Sequence, residues 1–294
     1  MRVVSLLPSA TEIVYALGLE AQLVGVTFEC DEPAAARRDK TVVVGGRDTS
    51  GMSPAAIDAY VRDQVASGQD LYTLDAGALA GLAPDLILTQ DLCRVCALPS
   101  GHVAEALDYL GCAADIVTLD PHSLDEVLDT ILTVGQRTST QQRAEHLVTE
   151  LRHRLAAVAE RTRGCPRPAV AVVEWVDPPF TAGHWVPDLV TAACGRPVAA
   201  HPSGRSSQTR WEEIAAARPD VVVVAPCGFN LSEAAKQAET AARYLPGIPI
   251  WAIDANGLVV RPGPRLVAGV EAMASILHPD QAAGVPAGRI RRIA

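Results

Sequence analysis

The chain has 294 residues, 49% of them hydrophobic and 20% charged, with a net charge of −9. At roughly 100–200 residues per domain, that length implies about two domains, each able to bury its own core, and the ordinary apolar fraction excludes disorder. The acidic balance excludes a nucleic-acid partner, whose phosphates require a basic face.

No run of about 20 apolar residues occurs, so no membrane span is expected. The opening Met1-Arg2-Val3-Val4-Ser5-Leu6-Leu7-Pro8 lacks the long apolar stretch and cleavage site of a secretory signal, which makes the cytoplasm the expected compartment. Disulfides are disfavoured there, so the seven cysteines read as core residues, ligands or reactive thiols.

In chain order, residues 2–7 read as a buried strand, and Ser9-Ala10-Thr11-Glu12 as a capping box opening a helix that Gly18 stops. Further strands are expected at 23–27, 41–44, 70–74, 86–89 and 115–119. Between them Ser53-Pro54 opens a helix, Asp75 caps a short one, and residues 123–135 form another. Such alternation implies parallel sheets built from strand–helix–strand units. Residues 140–163 contain neither Gly nor Pro, and Leu147, Leu151, Leu155 and Val158 recur at helical spacing. This long helix, ended by Gly164-Cys165-Pro166, reads as a connector.

The second half restarts the pattern, with strands expected at 169–175, 221–225 and 248–253 and helices at 187–193, 211–217, 232–244 and 264–277. The predicted fold class is α/β: two Rossmann-like lobes, each a central sheet flanked by helices, joined by one long connector helix. The boundaries are 1–137, 138–164 and 165–294. A faint internal repeat supports two lobes of one design. Leu82-Ala83-Pro84-Asp85 leads into one strand and Ala217-Arg218-Pro219-Asp220 into another. Ligands of open α/β sheets bind outside the carboxyl ends of the strands, so a cleft between the lobes is the expected site.

Four segments that follow predicted strands carry unusual residues. They are Phe28-Glu29-Cys30-Asp31, Gln90 through Cys96, Glu174-Trp175 with Gly183-His184-Trp185, and Pro226-Cys227-Gly228-Phe229. Cys93 and Cys96 form a CxxC pair, which puts two thiolates within reach of one metal or serves as a redox couple. With Cys30 and Cys227 they make four soft donors able to hold an iron–sulfur cluster, zinc or copper. Each cysteine is alternatively readable as a small buried hydrophobe, and for Cys112, Cys165 and Cys194 that reading is preferred. Trp175 and Trp185 offer a flat apolar wall for a planar ligand, with His184 as donor or axial ligand. Alternatively, both tryptophans cap the second core. Glu174 ends a buried strand, where a carboxylate requires a cation, metal or donor. Trp211 reads as structural, and His102, His122, His146, His153 and His278 as surface or loop residues. The loop 203–209 reads either as a cover for the cleft or as a solvated connector.

The opening Val3-Val4-Ser5-Leu6-Leu7-Pro8-Ser9-Ala10-Thr11-Glu12 with Leu17-Gly18, the Leu-x-Pro-Asp strand entry and the single long helix resemble the class III substrate-binding proteins of ABC importers. Within that class the chain is most similar to the cobalamin-binding branch, and to members without a signal. The shared segments are Glu29-Cys30-Asp31, Leu92-Cys93-x-x-Cys96-Ala97, Glu174-Trp175, Gly183-His184-Trp185 and Pro226-Cys227-Gly228-Phe229. Such members often read His where Phe28 stands here. The resemblance implies a planar metal complex held between two lobes against aromatic side chains, with little hinge motion about a stiff helix. It also implies docking on an ABC permease through a surface glutamate on each lobe.

Two readings follow. In the first, the protein binds cobalamin, another corrinoid or a related small-molecule metal complex without chemistry. Its contacts are Glu29, Gln90, Glu174, Trp175, His184, Trp185 and Phe229, and an ABC permease is its partner. In the second, a cytoplasmic metalloenzyme on the same scaffold holds an iron–sulfur cluster or zinc on Cys30, Cys93, Cys96 and Cys227, with Glu174 or His184 in acid–base work. A thiol redox protein using Cys93 and Cys96 is a lesser third, since its aromatic residues would be idle.

Overall fold

The computed structural model describes residues 1–49, 51–92, 100–281 and 288–294. It divides into two units, the first comprising Met1–Asp120 with Asp129–Leu147 and the second Pro121–Leu128 with Val148–Ala294.

The first unit contains β1 (Val3–Ser5), α1 (Pro8–Ala16), β2 (Leu23–Thr27), α2 (Ala34–Asp39), β3 (Thr41–Gly46) and α3 (Pro54–Ala66). There follow β4 (Tyr72–Leu74), α4 (Ala76–Gly81), β5 (Leu86–Thr89), α5 (Ser100–Leu110) and β6 (Asp115–Thr118). The sheet order is β4-β3-β2-β1-β5-β6. Every pairing is parallel except that of β4 with β3. The buried β-branched and leucine side chains of these strands meet Leu79, Val103 and Leu107 in one core. The helices α6 (Leu124–Arg137) and α7 (Gln141–Arg161) come next. The division between units falls inside both, after Leu128 and after Leu147, where the sequence implied one connector alone.

The second unit contains β7 (Ala169–Val176), β8 (Pro179–Thr181), α8 (Val186–Ala192), β9 (Arg196–Pro197), β10 (Ser207–Gln208) and α9 (Trp211–Ala216). After these come β11 (Val221–Val224), α10 (Leu231–Tyr244), β12 (Ile250–Ile253), α11 (Ala255–Leu258), α12 (Leu266–Leu277) and β13 (Ile290–Arg292). The order is β10-β8-β7-β11-β12-β13, with β9 on the same β7. The central β7-β11-β12 run is parallel, and β8, β10 and β13 join antiparallel. Its core packs Val173, Val222, Val224 and Ile250 against Trp211, Ile214 and the alanine face of α10. Trp211 stacks on Tyr244 with ring centroids 5.3 Å apart, as a structural residue should.

The internal repeat has a physical basis. Ala83 and Arg218 both turn left-handed, at φ of 42° and 49°, before Pro-Asp starts a strand. Asp85 then accepts the Arg2 N–H at 2.6 Å, and Asp220 the Ala169 N–H at 2.6 Å. Each aspartate therefore satisfies a backbone donor at the start of the neighbouring strand.

Two local expectations are corrected. The first helix starts at Pro8, with Leu7 as an extended N-cap and no side-chain cap, so Ser9 to Glu12 lie inside it and are buried. Proline fits the first helical turn because its φ is fixed and its missing N–H is one the helix would leave unbonded. His278, expected at the surface, is buried at 8% exposure at the end of α12.

Candidate functional site

In the second unit, parallel β7, β11 and β12 deliver their carboxyl ends to one edge. Cross-bonds hold that edge together. Cys227 N–H donates to the Glu174 carbonyl at 3.2 Å, and Asn256 N–H to the Phe229 carbonyl at 3.2 Å. Gly228, left-handed at φ 87°, turns its N–H onto Asn256 Oδ1 at 3.1 Å. The turn sets the Phe229 ring beside Trp175, with centroids 5.5 Å apart and planes at 37°. Trp175 Nε1 donates to the Asp177 carbonyl at 3.1 Å, fixing the indole, and both rings remain half-exposed.

Glu174 meets donors. Gly183 N–H donates to its Oε1 at 3.1 Å, and the Ser206 hydroxyl donates to its Oε2. A β-carbon at Gly183 would lie 2.2 Å from Ser206 N, so glycine is what allows the two loops to touch. The contact ties the loop around Ser206 to β7 and identifies it as a wall of this edge. Farther along, Ser207 joins β10 and Arg210 pairs with Glu213 at the start of α9.

His184 sits in this contact at φ 51°, its N–H on the Gly204 carbonyl at 2.5 Å. Its ring centroid lies 5.7 Å from that of Trp185 and 6.3 Å from that of His122. Nε2 is buried with no hydrogen-bond partner among the described residues. Burial, then the charges of His122 and Arg205, pull its pKa below the ordinary histidine value. The imidazole is held neutral.

Of the two readings the sequence left open for Trp185, aromatic wall or core cap, the structure takes the core. It is 6% exposed, and its Nε1 donates to the Val259 carbonyl at 2.8 Å, so it belongs to the core. The partner of Trp175 is Phe229, which the sequence placed in the site without assigning it to the wall.

In the first unit the carboxyl end of β2 carries Phe28, Glu29 and Cys30. Phe28 lies across Gly46, where a β-carbon would come 2.7 Å from the ring. Because β4 runs antiparallel, its first residue Tyr72 pairs with Gly46 at this same edge. Tyr72 packs 6.2 Å from Phe28, and its hydroxyl donates to Glu29 Oε2 at 3.3 Å. No periodicity marked Tyr72, since only the antiparallel pairing brings it there. Gln90 is buried one residue past β5. Next to it, the Asp91 carboxylate takes the Ser100 N–H at 2.8 Å and hydroxyl at 2.6 Å.

Cys30 is fully buried, its sulfur 3.0 Å from Thr11 Oγ1, whereas Cys227 is exposed on its loop. Cys93 and Cys96 lie outside the described residues. Among the described residues no group of three or more His, Cys, Asp or Glu side chains could hold a metal ion. No described helix is long and apolar enough to cross a membrane.

Comparison with known proteins places this geometry. A family described as periplasmic binding protein matches residues 3–244. A cobalamin-binding protein of Halobacterium salinarum is 27% identical over 94% of this chain and 69% of its own length. An uncharacterized ABC transporter substrate-binding lipoprotein of Bacillus subtilis is 24% identical, over 95% of this chain and 80% of its own. Among solved structures, a periplasmic heme-binding protein of Pseudomonas aeruginosa superposes with a TM-score of 0.72 at 23% identity, covering 100% of this chain and 98% of the other. A periplasmic vitamin B12-binding protein of Vibrio cholerae gives 0.65 at 22% identity, covering 95% and 97%. At such identities the two structures share the fold.

Proposed function

The chain belongs to the periplasmic binding protein family, the class III substrate-binding proteins of ABC importers, and from that premise we propose that its cargo is a corrinoid such as cobalamin. The observation that carries this reading is the half-exposed Trp175–Phe229 pair at the carboxyl edge of β7 and β11. Flat macrocycles bury their faces on aromatic rings, and each such contact adds about 0.5–1.5 kcal/mol beyond the area it removes from water. The first unit presents rings of the same kind, Phe28 and Tyr72, at its own strand edge.

The polar groups favour an amide-fringed ligand over a dianionic one. Glu29, with the Tyr72 hydroxyl on it, and Glu174 put carboxylates at the two strand edges. Carboxylates accept from amide N–H groups and repel carboxylate rims. The Halobacterium salinarum relative, named for cobalamin, supports the same choice. His184 stays neutral, and its backbone N–H holds the Gly204 carbonyl. Its partner is an ABC permease, to which the loaded protein hands its cargo.

Titration calorimetry with cyanocobalamin, haem and a ferric siderophore tests the reading. Cyanocobalamin is expected to bind at micromolar concentration or tighter, with at least tenfold loss in Trp175→Ala. Silence toward cyanocobalamin with tight haem binding would move the assignment to haem, and silence toward all three would sink it.

A further inference from the structure

We propose that Cys165 and Cys194 form a reversible disulfide, a redox modification site at the end of the second unit opposite the aromatic pair. Both are free thiols of intermediate exposure, open to a small reagent, in contrast to the fully buried Cys30.

The two residues meet on a single atom. The Thr162 carbonyl, at the end of α7, accepts the Cys165 N–H at 3.0 Å and the Cys194 thiol at 3.7 Å. The segments that follow are clamped side by side. Arg167 Nη2 donates to the Gly195 carbonyl at 2.9 Å, and Arg196 N–H to the Pro168 carbonyl at 2.8 Å. From there β9 pairs in parallel with β7, Ala169 opposite Arg196. Cys165 lies four residues before that pairing and Cys194 two residues before it, so both chains enter it from the same corner. Turning the Cys194 side chain off the carbonyl frees its sulfur for the bridge.

The backbone at Cys194 is the second observation. It closes α8 in the left-handed region at φ 62°, with its N–H on the Thr191 carbonyl at 3.0 Å. Glycine or asparagine normally takes that place, because a β-carbon there crowds the neighbouring carbonyl oxygen. The strain brings the sulfur onto the end of α7.

Bridge formation is thiol–disulfide exchange. One thiolate attacks a low-molecular-weight disulfide, RSSR, forming a mixed disulfide and releasing RSH. The second thiolate then attacks the protein sulfur and expels the second RSH. Two thiols are oxidised, one RSSR is reduced to two RSH, and the bridge joins the end of α7 to the end of α8.

The test exposes the whole chain to oxidised glutathione, blocks remaining thiols with N-ethylmaleimide and maps the peptides by mass spectrometry. The expected result is a Cys165–Cys194 linked peptide, loss of alkylation at those two positions, and a melting temperature raised by a few degrees and restored by dithiothreitol. Cys165→Ser and Cys194→Ser should each lose the linked peptide and carry glutathione on the remaining thiol, with an unchanged circular dichroism spectrum. Full alkylation of both cysteines after oxidation would overturn the proposal, as would stable glutathione on both in the unsubstituted chain.

Discussion

Trp175 on β7 and Phe229 in the loop after β11 meet at 5.5 Å, because a left-handed glycine turns that loop back over the end of β7. Neither ring is needed to fill the core, since both stay half-exposed.

Replacing either ring by alanine should therefore act on binding and spare the fold. The ring contact adds about 0.5–1.5 kcal/mol to the area it buries, so Trp175→Ala or Phe229→Ala should weaken cyanocobalamin roughly tenfold. Calorimetry reads the affinity, and a thermal melt shifted by no more than a degree or two shows that the scaffold is intact.

Trp185 should behave in the opposite way. Trp185→Phe strips the donor from the buried Val259 carbonyl and trims a core ring, at a cost of about 1–3 kcal/mol and several degrees of melting temperature. Ligand affinity should stay within twofold. A tenfold loss without destabilisation would return Trp185 to the ligand wall.

The loop contact gives a graded pair. Ser206→Ala removes one donor to Glu174 while Gly183 keeps its own, costing about 1 kcal/mol. Gly183→Ala forces a β-carbon against Ser206 N and should cost more, because backbone rather than a mobile side chain must retreat. Chemical denaturation of both variants checks the order, and equal losses would contradict the packing.

His184 makes stability depend on pH. Its folded pKa lies below the ordinary 6.5, so the unfolded chain binds the proton more readily and acid favours unfolding. The contribution is complete above 6.5 and is lost as pH falls through that value toward the folded one. Melting temperatures from about pH 8 to about pH 5 should fall more steeply in the parent chain than in His184→Asn. His122→Ala removes a neighbouring charge and should move the His184 ring titration upward, read by NMR.

Much of the fold was legible because backbone rules are local. The paired Pro-Asp entries announced two units of one design, and in each the aspartate bonds the start of the adjacent strand. Asp75 and Ser53 cap their helices as their positions implied. Ser9-Ala10-Thr11-Glu12 misled because Pro8, just past the expected strand, was the better helix start. The candidate site was legible by segment, since loops after parallel strands share an edge. It was not legible by partner. Whether Trp175 faced Trp185 or Phe229 depended on a glycine turn, and Tyr72 reached Glu29 through an antiparallel edge strand.

The seven cysteines mark the same boundary. Their count and spacing do not say which of them meet. Sequence by itself determined the alternation of strands and helices, the two-unit plan and the loops that carry chemistry, because periodicity and caps act over a few residues. Tertiary structure alone decided that Trp185 is core, that Glu174 meets backbone and hydroxyl donors, and that Cys165 and Cys194 share the Thr162 carbonyl. Those relations join residues far apart in the chain, and only the pairing of β7 with its neighbours brings them together.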